Sequence, residues 1–277
     1  MPLSAIEITA IAEKARAIRI TTIEMLVAAG SGHTAGPLGM ADIFATLYFH
    51  TLVHDSTNPN WEGRDRLVLS NGHITPVRYA AMAHAGYFPV EECLSLRKFG
   101  SRLQGHPERT KLPGLETTSG PLGSGLSQAS GMALGLSMDG KKNHVYCLMS
   151  DGELQEGNTW EAFMLAGKNR LHNLTAVIDR NNIQIDGVTE DVMPLEPLAD
   201  KLRAFNWHVL EVNGNDIEHV VAAFAEAKTI QEKPTVIIAH TTPGKGVPDI
   251  ENDYRWHGKA PTAEEAKRFI GILNASI

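Results

Sequence analysis

A chain of 277 residues with 43% hydrophobic and 21% charged residues has ordinary globular composition, which excludes a disordered, collagenous or coiled-coil polymer. Twenty-five Lys and Arg against 32 Asp and Glu leave a net charge of −7, without the basic footprint that nucleic-acid binding needs. Two cysteines cannot form a disulfide framework, and charged residues interrupt the first thirty positions too often for a signal peptide or a membrane span, so a soluble cytoplasmic protein is expected.

In chain order, residues 4–29 carry apolar positions at helical spacing, with Ser4 and Glu7 spaced as a capping box and Gly30 as the stop. A Gly- and Pro-rich stretch follows, then a second helix near 40–52 and a short strand over 66–70. Residues 86–125 are rich in Gly and Pro without regular pattern, the kind of long connection that usually carries function. From about 126 the rhythm changes. Helices are predicted from about 126 to 138 and over 156–170, 197–205, 216–230 and 261–273, with strands over 144–149, 174–179, 207–212 and 235–240 between them. Such alternation means βαβ units: an α/β fold with a mostly parallel sheet and helices on both faces, expected as one domain over 1–277.

In an open parallel sheet, ligands lie beyond the carboxyl ends of the strands. Two predicted strand ends are chemically unusual. One runs into Ser150-Asp151-Gly152-Glu153, the other into Arg180-Asn181-Asn182-Ile183. Asp151 offers a carboxylate, Asn181 an amide oxygen and the backbone beyond it a carbonyl, all hard donors suited to Mg²⁺, which in turn favours a phosphorylated ligand. Gly152 lets that ligand approach the backbone, and the helix beginning near Glu156 aims its N-terminus at the same region. Taken singly, each piece reads equally as a capped helix start or an ordinary turn.

Taken together, Asp-Gly followed thirty positions later by Asn-Asn after an apolar strand resembles the thiamine-diphosphate-binding motif. The resemblance widens to transketolases through SGHTAGPLGMADIFATLY, DRLVLSNGHITPVRYA, LQGHPERTKLPGLETTSGPLGSGLS, the stretch from Asp151 to Gly187, and TTPGKGV followed by WHGKAP. It covers nearly the whole chain in order, but only the first of a transketolase's three domains. The sequence is therefore similar to the N-terminal, diphosphate-binding subunit of a split transketolase. Two departures stand out: Ser150 where the family usually has Gly, and His33-Thr34-Ala35-Gly36 in place of His-Pro-Gly.

Twelve histidines are many for this length, and four of them, His33, His73, His106 and His257, adjoin glycine in separate loops. As bare sequence each could brace a loop; a zinc cluster is disfavoured by the lack of short ligand spacing. The resemblance implies that His33 and His106 face the donor sugar, while His73 and His257 lie near the cofactor and the reacting centre. It implies that Asp151, Asn181 and the Ile183 carbonyl hold Mg²⁺, with Ca²⁺ and Mn²⁺ as substitutes. It further implies that Gly120, Leu122, Gly152 and Ile185 meet thiamine diphosphate, and that Glu156 and Glu161 lie at a subunit interface joining paired active sites, with Glu156 close to the cofactor. Without the resemblance, Gly120–Gly125 is a tight turn before a helix, Ile185 plain core and the two glutamates a solvated face.

The implied activity is transfer of a two-carbon ketol unit from a ketose to an aldose. The partner is a C-terminal subunit carrying the pyrimidine-binding and C-terminal domains, in an α2β2 assembly, with sugars as small-molecule substrates and neither nucleic acid nor membrane. The alternatives are the alpha subunit of a 2-oxo-acid dehydrogenase, a fragment of deoxyxylulose-phosphate synthase, and a non-catalytic regulatory subunit of the same fold. The particular ketose and aldose are not legible in the sequence.

Overall fold

The computed structural model describes residues 3–275. Helix α1 (Ala5–Ala29) begins at the expected capping box. The Ser4 hydroxyl accepts from the Glu7 amide while the Glu7 carboxylate accepts from the Ser4 amide at 2.8 Å, and Gly30 ends the helix in the left-handed region. The second helix starts earlier than its periodicity suggests and is broken: α2 (Ala35–Gly39) and α3 (Ala41–Thr46) are separated at Met40, and a π-helical turn covers Leu47–Thr51. Strand β1 (Arg66–Leu69) matches its prediction, whereas α4 (Thr75–His84) is an unpredicted helix that starts at Thr75-Pro76.

The second half follows the predicted alternation: α5 (Ser124–Met138), β2 (Val145–Ser150), α6 (Gly157–Lys168), β3 (Leu174–Arg180), α8 (Leu198–Ala204), β6 (His208–Asn213), α9 (Ile217–Thr229), β7 (Thr235–His240) and α10 (Ala263–Ala275). Between β3 and α8 the chain adds a small antiparallel hairpin, β4 (Ile183–Gln184) and β5 (Gly187–Val188), and the short helix α7 (Thr189–Val192).

The five long strands form one parallel sheet in the order β1-β2-β3-β7-β6. Period-two alternation sorts their side chains onto two faces. Leu67, Tyr146, Leu148, Val177 and Ile237 pack in a core with residues of α1, α3, α4 and α9. Val68, Cys147, Met149, Ala176, Ile178 and Val236 pack in another with residues of α5, α6 and α8. Helices therefore cover both faces, as the alternation predicts. A third cluster joins Ile23 of α1 and Leu38 of α2 to Val247, Ile250, Trp256 and Phe269. It anchors the long segment after β7 against α1 and α2. Both cysteines are buried and free, and among the described residues no helix is long and apolar enough to cross a membrane.

Close packing makes two helical glycines opposite in character. A Cβ at Gly167 in α6 would lie 1.9 Å from the Phe205 carbonyl oxygen, whereas one at Gly131 in α5 would meet nothing within 4 Å. Gly167→Ala should therefore destabilise the chain by about 1–3 kcal/mol through overpacking, and Gly131→Ala should be neutral or stabilising by up to about 1 kcal/mol through helix propensity. Urea denaturation of both variants checks this; equal midpoints would contradict the packing described.

Candidate functional site

The carboxyl ends of β1, β2, β3 and β7 lie side by side in register, and the loops that leave them carry the chemically distinctive residues. Ser150, the last residue of β2, is opposite Asp179 of β3, which is opposite Ala239 of β7. Ser150 is extended strand, so this position does not demand glycine's conformational freedom, and its amide donates to the Glu153 carboxylate at 3.3 Å. The serine is accommodated without backbone strain.

Asp151 follows it and is fully buried. Its Oδ2 accepts from Arg180 Nη1 at 2.9 Å and from the Asn182 amide at 2.6 Å, and its Oδ1 accepts from the Gly152 amide at 2.7 Å. Burial pushes its pKa up, and the guanidinium and the two amides oppose that push. Asn182 can present its amide because it sits in the left-handed region at φ 60°, which asparagine tolerates better than most residues. Arg180 itself is buried and also reaches Glu190 at 2.6 Å and Glu196 at 3.0 Å. Sequence reasoning missed it as a functional residue; the signal was a basic side chain directly after Asp179 at the end of a largely apolar strand.

Asn181 is held from both ends. Its Nδ2 donates to Asp179 Oδ2 at 2.7 Å, and its Oδ1 accepts from the Ile183 amide at 3.0 Å. Asp179 is buried and also accepts from the Thr241 hydroxyl; burial, with the Asp151 charge adding to it, raises its pKa to about 7. Ile183 begins the unpredicted hairpin, which turns the chain so that its carbonyl oxygen lies 4.0 Å from where a Gly152 Cβ would be. Asp151 and the Ile183 carbonyl thus flank Gly152, and the Asn181 amide oxygen is tied to the Ile183 amide. A charged carboxylate with two neutral oxygens is a donor set that fits a hard divalent cation.

A third buried carboxylate, Glu153, was read from sequence only as part of the strand-end run. It accepts from the Ser70 hydroxyl at the end of β1 and from the Gly123 amide at 2.6 Å, while the Gly125 amide donates to Ser70 Oγ at 3.0 Å. Glu153 therefore ties together β1, β2 and the start of α5. This positions the loop of Gly120 and Leu122, where a Cβ at Gly120 would meet nothing within 4 Å and so faces open space. Gly123, at φ 81°, is crowded by the neighbouring Asn158 and Glu156 side chains, and Glu156 stands exposed at the N-cap of α6. Glu161 is likewise exposed on α6.

Three of the four glycine-flanked histidines form one cluster. The ring centroids of His33 and His73 are 4.7 Å apart, those of His33 and His257 5.4 Å, and those of His73 and His257 5.2 Å. His106 is a neighbour: a Cβ at Gly72 would lie 3.2 Å from its Cδ2. Burial lowers the pKa of all four, that of His33 to about 4 with His257, Arg97 and His106 reinforcing the effect. At pH 7 they are neutral imidazoles, each with one donor and one acceptor. The Nδ1 atoms of His33 and His257 are buried without a partner, as are both side-chain polar atoms of Asn71 at the end of β1. Buried polar atoms left unpaired are costly. Thr34, in place of the usual proline, donates its hydroxyl to the Lys259 carbonyl at 2.5 Å and so pins the His257 segment over the first loop. Ile185, 61% exposed, borders the same place, since a Cβ at Gly258 would meet its Cδ1 at 2.8 Å and His33 Nε2 at 4.0 Å. Among the remaining histidines, His54, His84, His144 and His208 brace neighbours such as Tyr87, Thr21, Thr175 and Glu226.

The Asp151–Arg180 pair carries a stability prediction. Arg180→Met leaves a buried carboxylate without its cation and should cost about 3–5 kcal/mol. A double-mutant cycle with Asp151→Asn, followed by chemical denaturation, should show the double variant losing less than the sum of the singles. Additive losses would mean that the pair is not coupled.

The family described as transketolase, thiamine diphosphate binding domain, matches residues 11–273. The chain is 43% identical over 260 residues to a 6-deoxy-6-sulfo-D-fructose transketolase subunit of Clostridium sp. (strain MSTE9), covering 94% of each chain. It is 39% identical to an apulose-4-phosphate transketolase subunit of Phocaeicola vulgatus, covering 92% of this chain and 90% of that one. Among solved structures, the transketolases of Leishmania mexicana and Campylobacter jejuni superpose with TM-scores of 0.90 and 0.89 at 34% and 36% identity. In both cases 95% of this chain is covered, and it spans 41% and 43% of the respective solved chains.

Proposed function

The chain belongs to the transketolase family, and from that premise we propose that it is the thiamine-diphosphate-binding subunit of a two-chain enzyme that moves a two-carbon ketol unit from a ketose to an aldose. The observation that carries this reading is the assembly, at the carboxyl end of the sheet, of a hard-oxygen donor set and a cluster of neutral histidines, two of which have unpaired buried nitrogens. The relatives that this chain matches almost end to end bear the names of transketolase subunits. In this proposal residues 1–277 act as one thiamine-diphosphate-binding unit, and a C-terminal subunit completes the site in an α2β2 assembly in the cytoplasm.

Asp151, Asn181 and the Ile183 carbonyl would hold Mg²⁺, and the diphosphate would approach the backbone at Gly152. Gly120, Leu122 and Ile185 would border the rings of the cofactor, with Glu156 at the subunit junction. Thiamine diphosphate, when bound, supplies the electron sink that allows a carbon–carbon bond beside a carbonyl to break. The histidines handle protons and hydroxyls: His33 and His106 hydrogen-bond the sugar, while His73 and His257 lie by the cofactor and the reacting centre. Their neutrality at pH 7 suits this, because a neutral imidazole can both accept and return a proton. The oxo-acid dehydrogenase alternative gains no support from the relatives found.

Asp151 is the only charged member of the metal set. Asp151→Ala should abolish Mg²⁺-dependent binding of thiamine diphosphate in calorimetric titration of the assembled complex, and unchanged affinity would refute the metal assignment. The subunit proposal is tested by a transfer assay on protein from a host deleted for its own transketolase. The 277-residue chain alone should show no ketol transfer with any ketose, and stoichiometric addition of a transketolase-like C-terminal subunit should create it. Sustained turnover by the chain alone would overturn the reading.

A further inference from the structure

The Asp151 carboxylate is already well supplied with donors. Its Oδ2 accepts from both Arg180 Nη1 at 2.9 Å and the Asn182 amide at 2.6 Å, and its Oδ1 accepts from the Gly152 amide at 2.7 Å. A carboxylate has about four lone-pair positions, so what remains for a cation lies on Oδ1. The other oxygen is bonded to a guanidinium.

That guanidinium is braced in place. The Arg180 side chain is 7% exposed, and its Nη2 donates to Glu190 Oε1 at 2.6 Å and to Glu196 Oε1 at 3.0 Å. Each of these carboxylates is fixed in turn by a backbone amide, Leu195 donating to Glu190 at 3.0 Å and Leu198 to Glu196 at 2.8 Å. Arg180 therefore joins the end of β3 to Asp151 on one side and to the segment after α7 on the other, and has little freedom to move away.

The charge balance gives this arrangement a consequence for metal uptake. Asp151 is the one charged member of the proposed donor set, and the positive charge of Arg180 cancels it. Glu190 and Glu196 add negative charge, but their side chains are 28% and 58% exposed, so water screens them. Asp179 is engaged by Asn181 Nδ2 and the Thr241 hydroxyl. A bare divalent cation arriving beside Asp151 meets a buried positive charge that repels it. A diphosphate arriving with the cation brings the negative charge that offsets this repulsion.

We infer that Arg180 couples metal uptake to the diphosphate: it weakens binding of a bare divalent cation, so that cation and diphosphate are taken up together. This rests on the metal assignment proposed above and deepens it. Arg180 is in this sense a positioning residue, acting on the cation through Asp151.

The experiment measures Mn²⁺ bound to the 277-residue chain by equilibrium dialysis, at matched free Mn²⁺, with and without inorganic pyrophosphate. It is run at pH 8 to limit competition by protons. Pyrophosphate should tighten Mn²⁺ binding to the original chain at least about tenfold. Arg180→Gln removes the charge while keeping an N–H for Asp151; bare Mn²⁺ should then bind about tenfold more tightly, and the enhancement by pyrophosphate should shrink. Arg180→Lys, which keeps the charge, should retain the coupling. An original chain that binds Mn²⁺ equally well with and without pyrophosphate would overturn the inference, whether or not any variant folds. Unchanged or weaker binding of bare Mn²⁺ by an Arg180→Gln chain that still unfolds cooperatively would do the same. Mn²⁺ uptake that survives Asp151→Asn would place the cation elsewhere and overturn the metal assignment with it. Arg180-dependent coupling in a chain that never supports ketol transfer would uphold the inference and sink the functional reading.

Discussion

The Asp151 carboxylate is taken wholly out of water, and the architecture of the site is what makes that possible. An ionised carboxylate without compensation would be very costly there. Compensation comes from the end of the neighbouring strand, as the Arg180 guanidinium, and from the turn beyond it, as the Asn182 amide. The demands of one buried charge thus lock the ends of β2 and β3 at a set separation. Glu153 repeats the device two residues later, drawing in Ser70 and the glycine-rich entry to α5. The two carboxylates share an extended polar layer over a sheet whose two faces are apolar.

The histidines complement that layer by staying uncharged. Burial disfavours protonation of each imidazole, neighbouring imidazoles add to this at His33 and His73, and Arg97 adds to it at His33 and His106. His33, for example, ordinarily titrates near 6.5 and here only near 4. Between those values the unfolded chain binds more protons than the folded one. Stability therefore falls as pH drops through that window and is unaffected by this group above it. A neutral cluster suits hydrogen bonding to polyhydroxylated molecules.

Family membership and site geometry support each other through different residues. Identity of 43% is spread over nearly the whole length of a subunit relative, whereas the site depends on a few loop positions. Ser150 illustrates the distinction. It departs from the usual glycine, yet it lies in extended strand, where the substitution leaves the turn around Asp151 undisturbed.

The alternation of β3, β6 and β7 with α8 and α9, the capping box of α1 and the loops holding Asp151, Asn181 and the four histidines were legible in the sequence, because periodicity, caps and glycine-flanked polar residues act over a few neighbours. The sequence alone could not reveal Arg180 as the partner of Asp151, Glu153 as the link to Ser70, or Arg97 lying beside His106. Those contacts join residues from 9 to 83 positions apart across strand ends or loops. Local pattern also missed α4 and the β4–β5 hairpin, short elements whose conformation is set by what they pack against. The charge a side chain carries in the site was decided last of all, since burial and neighbouring charges exist only once the chain has closed around them.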